Sequence, residues 1–339
     1  MTEPVLLAVD GGNSKTDVAL VSTRGSVLAA VRGGGSSPHH LGLDGSMRLL
    51  TSLIDGACEQ AGIPLAAGPV ATVGAWFMAG ADLPVEERAL RRAVERLGVA
   101  HCNHVMNDTF AVLHAGTHAG WGIAVVSGAG VNCVGLARDG RTARFLALGD
   151  ITGDWGGGAD IGLAALGASV RAEDGRGPAT ALCGEVAAYF GQRHATDVAI
   201  GIHTGRVDRA RLLELAPIVA DAATAGDAVA VAILERQADE VVALVAAASR
   251  RLRLTRQEVS VVLGGSVLSA LPPLIVERIG AGVRLTAPHA TTTVCRDRPI
   301  VGAALCALDL AMGGGPAAPH PRRRLRRLLN GHRFRDIAC

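Results

Sequence analysis

The order of apolar and polar positions along the chain repeats one three-strand pattern twice. Residues 5–9, 16–21 and 26–31 are short apolar runs separated by glycine-rich or polar turns. Runs of this length bounded by turn residues predict three successive antiparallel strands. The layout returns more than a hundred residues later, in runs at 122–126, 133–137 and 144–148. An internal repeat at this spacing predicts a duplicated domain and not a solenoid.

The remaining pattern predicts an α/β fold. Between the copies it predicts elements at 41–61 (helix), 70–76 (strand), 85–97 (helix) and a strand ending at Asn107-Asp108. After the second copy it is mostly helical to residue 253, with a strand at 259–263 and a closing helix near 299–312. We expect one domain at 1–115 and a second at 116–312, whose closing helix is able to pack back on the first.

The last residues differ in composition from the rest. Residues 313–319 are rich in glycine, alanine and proline, which is typical of a linker. Residues 317–339 hold seven arginines and one aspartate. We expect residues 313–339 to form a linker and a solvated, partly disordered tail, with a short basic helix as the alternative.

Composition excludes several classes of protein. Aromatic residues make up 3% of the chain, which argues against stacked recognition of single-stranded nucleic acid. No signal-peptide pattern and no apolar stretch long enough to span a bilayer is present, so a cytoplasmic protein is expected, without a membrane or nucleic-acid partner. The seven cysteines form no CxxC pair, which argues against a zinc ribbon, a ferredoxin-type cluster or a disulfide scaffold. The histidines lack acidic or cysteine partners at the spacing of metal ligands, which argues against a histidine metal site.

The first glycine-rich loop, Asp10-Gly-Gly-Asn-Ser-Lys15, lies between two predicted strands. This placement excludes a P-loop and a Rossmann turn, which need a helix after the loop. A tight hairpin can still point backbone N–H groups at phosphate oxygens, and Asp10 is placed to hold Mg²⁺. Lys15 is the only lysine among 33 basic residues. The predicted nucleotide contacts here are Gly11, Gly12, Asn13, Ser14, Lys15 and Thr16; the alternative is an ordinary hairpin.

Two further glycine motifs are predicted to complete the nucleotide site. The second loop, 127–132, occupies the same place in the second copy as the first loop does in the first. A third motif, at 264–266, follows a strand, and its small residues suit an adenine or ribose lying against the backbone. The predicted contacts are Ser127, Gly128, Ala129, Gly130, Gly264, Gly265 and Ser266; strand-to-helix turns are the alternative reading for the third motif.

Acidic residues at two loops are candidates for the acceptor side. Asp108 ends a strand and begins a helix, so it is either an N-cap or a base that takes the proton of an attacking hydroxyl. Asp154 and Trp155 lie among five glycines, where they could contact a sugar; the alternative is a helix-leading loop capped by Asp160. Asn107 precedes the predicted base and is a further candidate contact.

These motifs, in this order, resemble the BadF/BadG/BcrA/BcrD ATPase family, in its N-acetylglucosamine kinase-like branch. The resemblance extends to about Met312. It implies two RNase H-like domains of the actin-like ATPase and sugar kinase type closing over an interdomain cleft, ATP with Mg²⁺, and a homodimer. It also implies that Asp108 is the base and that Asn132 and Asp154 contact the sugar.

The chain departs from the kinase pattern at the acceptor side. Where such kinases commonly carry Gly-Asp-Glu-Gly-Ser, this chain has Gly153-Asp-Trp-Gly-Gly157. The tryptophan that usually stands shortly before this motif is replaced by Leu148. The segment where an asparagine commonly contacts sugar reads Ser36-Ser-Pro-His39, so Ser37 and His39 become the candidates. N-acetylglucosamine, glucosamine, another amino sugar and a cyclitol all remain possible acceptors. The alternatives are an activator ATPase with an iron–sulfur cluster and a sugar-sensing regulator.

Overall fold

The computed structural model describes residues 3–64 and 68–337, which form two compact units. The first unit comprises Met1–Gly122 and Cys295–Cys339, and the second comprises Ile123–Val294. The chain therefore changes unit after residues 122 and 294, whereas the sequence pattern placed the boundaries after 115 and 312. The second difference arises because the helix at 299–311 packs on elements of the first unit.

The first unit contains a six-stranded sheet in the order β11-β3-β2-β1-β4-β5. β1, β2 and β3 are antiparallel neighbours, as the apolar runs predicted, and β4 and β5 continue the sheet parallel to β1. The strands are β1 (Val5–Gly11), β2 (Lys15–Ser22), β3 (Val27–Gly34), β4 (Ala71–Met78), β5 (Ala100–Asn107) and β11 (Arg335–Asp336). In this register Asp10 lies directly opposite Asp17.

Helices cover the sheet of the first unit. They are α1 (Pro38–Ala61), α2 (Pro84–Leu97), α3 (Thr109–Gly116), α11 (Pro299–Ala311) and α12 (Pro319–Gly331). Trp76 and Leu50 are fully buried in the core that α1 and α2 share with the sheet. α2 begins with proline in its first turn and ends at Gly98 in the left-handed conformation, so both ends follow ordinary helix signals.

The second unit repeats the topology of the first. Its five-stranded sheet has the order β8-β7-β6-β9-β10, which corresponds to β3-β2-β1-β4-β5. The strands are β6 (Gly122–Ser127), β7 (Val131–Leu136), β8 (Thr142–Arg144), β9 (Val259–Gly264) and β10 (Ala290–Val294). The predicted duplicated α/β architecture, of the actin-like ATPase and sugar kinase type, is thus confirmed.

The third predicted strand of the second copy is placed wrongly. β8 ends at Arg144, whereas the apolar pattern placed the strand at 144–148. Leu146 and Leu148 are about half exposed, and Ala147 has a positive φ of 53°, which is incompatible with a strand.

The helices of the second unit lie between β8 and β9 and between β9 and β10. They are α4 (Gly158–Glu173), α5 (Leu182–Tyr189), α6 (Ala195–His203), α7 (Ala216–Thr224), α8 (Ala228–Leu252), α9 (Gly265–Ser269) and α10 (Pro273–Thr286), with 3₁₀ turns at Gly149–Ile151 and Arg209–Leu215. Among the described residues no single helix is both long and apolar enough to cross a membrane. One strongly bent pair, Arg209–Thr224 with Ala228–Leu252, passes that test on length and composition.

The arginine-rich tail is ordered as far as residue 337 and contains the short basic helix that was the alternative, which corrects the expectation of a partly disordered extension. Leu325 and Leu329 on α12 are fully buried, and Arg322 is 7% exposed and paired with Asp309 of α11. β11 then joins the edge of the first sheet beside β3. Arginine content alone was misleading because one arginine of this helix is a buried ion-pair partner and its leucines face the core.

Candidate active site

The first glycine loop is a hairpin tip between β1 and β2. The Gly12 N–H donates to the Lys15 carbonyl at 2.9 Å, which closes the turn. At Gly11 a Cβ would lie 2.7 Å from the sulfur of Met78 and from Ser36 Oγ, so only glycine fits. The predicted contacts Asn13, Ser14 and Lys15 are exposed at the tip, whereas Thr16 is buried below it.

Charged side chains are concentrated behind this hairpin. Asp17 is fully buried and accepts two hydrogen bonds from Arg32, at 2.6 and 2.7 Å. Lys15, about half exposed, lies 3.5 Å from the same carboxylate. Burial, followed by the negative charges of Asp17 and Asp108, raises the pKa of Asp10 to about 8. Asp10 is therefore an acid whose ionised form needs a nearby cation.

Asp108, the predicted base, is not the helix cap. The Thr109 N–H at the start of α3 donates to Asn107 Oδ1 at 3.0 Å, and the Asp108 side chain makes no capping hydrogen bond. Asn107 Nδ2 also donates to Asp82 Oδ1 at 2.8 Å. Burial and then the charge of Asp82 raise the pKa of Asp108 to about 6. Asn107 therefore makes the capping hydrogen bond, and the backbone N–H groups of residues 108 and 109 only partly offset the rise that burial causes in the pKa of Asp108.

A second polar group lies near the start of α1. His39 Nε2 is 3.0 Å from Glu86 Oε1, and ligand atoms of His39, Asp82 and Glu86 all lie within 4.8 Å of one another. Ser37 is fully buried, and its hydroxyl has no hydrogen-bond partner among the described residues. Sequence spacing gave no acidic partner for His39. The fold supplies two acidic partners, Asp82 and Glu86. Glu86 is held in position because it accepts the N–H groups of residues 82 and 83.

The second glycine loop is held by the start of α4. The Gly158 N–H donates to the Gly128 carbonyl at 2.7 Å, and the Ala159 N–H donates to the Ala129 carbonyl at 3.2 Å. A Cβ on Gly157 would lie 2.4 Å from the Ala129 oxygen, so the two backbones are in close contact. At Gly128 and Gly130, by contrast, a Cβ would meet no described atom within 4 Å. The loop is thus braced on one side and open on the other.

The candidate sugar contacts of the second unit differ in the partners that their side chains already have within the protein. Asn132 Oδ1 accepts the Cys133 N–H at 2.7 Å, and the Asp154 carboxylate accepts from the Thr152 hydroxyl. Trp155 has the guanidinium of Arg236 stacked 4.0 Å from its ring centroid. One face of the indole is therefore already covered, which the sequence did not indicate.

The loop after Trp155 has an internal support. Asp160 accepts the N–H groups of Gly156 and Gly157 at 3.1 and 3.0 Å, which is the capping role that the sequence allowed it. Gln237 on α8 is fully buried and donates to the Gly156 carbonyl at 2.7 Å. Ser127 Oγ donates to the same carbonyl, also at 2.7 Å, so this predicted nucleotide contact has a supporting role in the loop.

The second and third glycine motifs border one cavity of about 220 Å³. A Cβ on Gly265, where φ is 85°, would lie 2.2 Å from the Ser127 oxygen, so the two motifs pack directly against each other. The lining includes Gly128, Ala129, Ser266 and Glu214. The sequence predicted the glycine side of this cavity and missed Glu214, whose Oε2 accepts hydrogen bonds from Tyr189 and Arg211.

Asp17 and Arg32 were also missed, although the sequence contains a signal for them. In an antiparallel hairpin with its turn at residues 12–14, Asp17 lies opposite Asp10, and Arg32 of the next strand lies opposite Asp17. Two acids and one arginine in line across three strands indicate a charge cluster. The register itself, however, becomes certain only once the turn is known.

Comparison with known proteins gives consistent results. The sequence model of the BadF/BadG/BcrA/BcrD ATPase family matches residues 7–307. An N-acetylmuramic acid/N-acetylglucosamine kinase of Clostridium acetobutylicum is 29% identical over 264 residues, which cover 78% of this chain and 85% of the relative. An N-acetyl-D-glucosamine kinase of Dictyostelium discoideum is 24% identical over 318 residues, covering 91% and 99%.

Solved structures agree with these relatives. A candidate N-acetylglucosamine kinase from Chromobacterium violaceum superposes with a TM-score of 0.66 at 26% identity, covering 90% of this chain and 99% of the other. A ROK family glucokinase from Streptomyces griseus, solved with glucose and AMPPNP, has a TM-score of 0.51 at 16% identity, with coverage of 88% and 98%. The second likeness supports the fold alone.

Proposed function

The chain belongs to the BadF/BadG/BcrA/BcrD ATPase family, and from this premise we propose that it is an ATP-dependent carbohydrate kinase. It transfers the γ-phosphoryl group of ATP to a hydroxyl of an amino sugar, N-acetylglucosamine or glucosamine. The observation that carries the proposal is the Asp108 carboxylate at the start of α3, whose pKa burial raises while the side chain of Asn107 caps the helix. A residue that only ended a helix would be expected to use its own side chain for the cap.

Asp108 acts as the general base. With a pKa of about 6 it is roughly nine-tenths ionised at pH 7, and it is still basic enough to accept a proton. It takes the proton of the sugar hydroxyl while the hydroxyl oxygen forms a bond to the γ-phosphorus. The bond from that phosphorus to the β,γ-bridging oxygen breaks, and ADP leaves with the electron pair.

Asp10 fits a magnesium ligand. It is buried beside the carboxylate of Asp17, and its raised pKa supports a cation as the partner of its ionised form. Asp10 would hold Mg²⁺ directly or through water, because this ion takes oxygen ligands and keeps several waters. When bound, the ion would neutralise charge on the phosphates.

The glycine loops supply the nucleotide contacts in this proposal. Lys15 and Ser14, exposed at the first hairpin tip, bind phosphate oxygens, while Gly11 and Gly12, which lack a Cβ, shape the hairpin. The open side of the second loop, at Gly128 and Gly130, also accepts phosphate. The adenosine occupies the cavity beside Ser266, whose volume of about 220 Å³ is large enough for one planar base.

Polar side chains of each unit are the proposed acceptor contacts. In the first unit these are Ser37, His39 and Asn107, and in the second they are Asn132, Asp154 and Trp155. Hydroxyl and amino donors of a sugar suit carboxylate and amide acceptors. Because Arg236 covers one face of Trp155, the indole is held in place and offers the sugar its other face or its edge.

The activator-ATPase alternative requires thiolate ligands for an iron–sulfur cluster. Burial raises the pKa of Cys58, Cys133 and Cys306, which disfavours their thiolate forms. Cys339 lies outside the described residues. The iron content and colour of the purified protein test this alternative directly.

The proposed reaction is tested with a coupled assay of ADP release. N-acetylglucosamine, glucosamine, N-acetylmuramic acid, glucose and a cyclitol are compared, and turnover should be highest with one of the first two. Asp108→Asn should lower turnover by about 100- to 10,000-fold while ATP still binds. The exposed Asp139 gives a matched control, Asp139→Asn, which should leave turnover unchanged. Near-normal turnover in Asp108→Asn would refute the base.

The family resemblance also implies a cytoplasmic homodimer. We keep both as proposals, and light scattering of the purified protein at several concentrations tests the dimer.

A further inference from the structure

The C-terminal segment, residues 317–337, lies beyond the part of the chain that the family model matches, which ends at residue 307. Its contacts with the rest of the first unit include the following three. Arg322 pairs with Asp309, and Asn330 Nδ2 donates to Asp297 Oδ1 at 2.7 Å. The Pro321 oxygen lies so close to the β2–β3 turn that a Cβ on Gly25 would be 2.4 Å from it. The segment is thus fixed to the hairpin whose first residue is Lys15.

The end of this segment surrounds Arg32. β11 pairs with β3 so that Asp336 lies opposite Arg32, and the Ile337 N–H donates to the Arg32 carbonyl at 2.8 Å. The Phe334 ring centroid lies 5.1 Å from the Arg32 guanidinium carbon, within the range of a cation–π contact. The other end of the guanidinium holds Asp17 through two hydrogen bonds. Backbone and side chain of Arg32 are therefore both held by the C-terminal segment.

Arg32 determines the charge that Asp17 presents to the nucleotide loop. Asp17 is fully buried, lies opposite Asp10 in the hairpin register, and is 3.5 Å from the Lys15 ammonium. If Arg32 moved away, the buried carboxylate would lack its compensating charge and would attract Lys15 more strongly. Lys15 would then be drawn off the hairpin tip, and the site would carry more negative charge toward a triphosphate.

We infer that Phe334 is a positioning residue for nucleotide binding, which acts by holding Arg32 on Asp17 and so leaves Lys15 available to phosphate. The inference rests on the proposed nucleotide role of the first hairpin. It gives the C-terminal segment a function beyond closing the edge of the sheet.

The test is calorimetric titration with Mg-AMPPNP, which reads binding without phosphoryl transfer. Phe334→Leu removes the ring, and Phe334→Tyr retains it. Phe334→Leu should weaken Mg-AMPPNP binding about two- to fivefold, as expected for one partly exposed cation–π contact. Phe334→Tyr should bind as the wild type does. The KM for the sugar should stay within error of wild type in both variants, and the melting temperature should fall slightly in Phe334→Leu, because the ring also contacts Arg298, and stay at the wild-type value in Phe334→Tyr.

Two further variants separate this role from a general effect on stability. Phe334→Met is a second ringless variant of similar volume, to be used if the leucine variant does not fold. Arg323→Ala, on the exposed face of α12 in the same C-terminal segment, is the control and should leave nucleotide binding unchanged. Wild-type affinity in both ringless variants would overturn the inference, and so would an equal loss in Arg323→Ala or no recovery in Phe334→Tyr. Binding of Mg-AMPPNP without phosphorylation of any sugar would refute the acceptor and leave this inference standing.

Discussion

The charge of Asp82 should set part of the pH dependence of the reaction. The pKa of Asp108 is about 6 against an ordinary value of 3.8, a rise of about two units of which burial is the larger cause and Asp82 the second. Asp82→Asn removes the negative charge and retains an oxygen that can accept the Asn107 amide. The pKa of Asp108 should therefore fall, by less than about one unit, because burial remains.

The sign follows from the base mechanism. Turnover needs ionised Asp108, so activity rises as pH rises through its pKa, and a lower pKa moves this limb to lower pH. A fall of half a unit would roughly double the ionised fraction at pH 5.5, from about one quarter to about one half. Because kcat/KM reports the free enzyme, its profile between pH 5 and 8 is the appropriate measurement.

Asp139→Asn serves as the control, because this exposed aspartate pairs with Arg141 in the β7–β8 turn. Its profile should coincide with that of wild type. If the acid limb of Asp82→Asn stayed in place or moved to higher pH, the electrostatic account of Asp108 would be wrong. A lower kcat/KM at every pH with an unshifted limb would instead make Asp82 a substrate contact.

Two other predictions concern the phosphate-binding parts. Gly157→Ala should raise the KM for MgATP by roughly tenfold or more, because its Cβ would lie 2.4 Å from the Ala129 oxygen and displace the second loop. Gly167→Ala in α4 is the control, because a Cβ there would meet nothing within 4 Å. It should keep the wild-type KM and slightly raise the melting temperature. Equal effects of the two substitutions on KM would contradict the prediction. Binding of Mg²⁺ should release up to one proton per chain at pH 7 and less at pH 9, because Asp10, with a pKa of about 8, must ionise. Proton release measured in buffers of different ionisation enthalpy tests this, and release that persists unchanged in Asp10→Asn would refute it.

The duplicated fold was predictable because its signals are local. Each three-strand unit shows apolar runs of five or six residues with turn residues between them, and both sheets have the same strand order. The sequence placed glycines in the second and third motifs but did not indicate that the motifs touch, as Gly265 and Ser127 do. Local spacing was sufficient wherever the determinants lay within one hairpin or one strand-to-helix turn.

The parts that sequence missed depend on contacts between distant residues. α12 appeared to be a solvated basic tail because Arg322 could not be matched with Asp309, thirteen residues earlier on another helix, without the fold. The 144–148 run was predicted as a strand because it contains no glycine or proline that would mark a break. Glu214 and Gln237 reach their sites from helices far along the chain, so no motif around the glycine loops contains them.

The distribution of lysine and arginine suits the two kinds of cation that the first hairpin needs. Arg32 binds a buried carboxylate with two parallel hydrogen bonds, which the planar guanidinium does well and an ammonium cannot reproduce. Lys15 is 46% exposed at the hairpin tip, where a compact charge on a flexible stem can follow a phosphate as it is transferred. The single lysine among the 33 basic residues stands at the hairpin tip, where an arginine fork could bind the Asp17 carboxylate in the way Arg32 does. Holding Arg32 on Asp17 and keeping lysine at residue 15 thus solve the same electrostatic problem from its two ends.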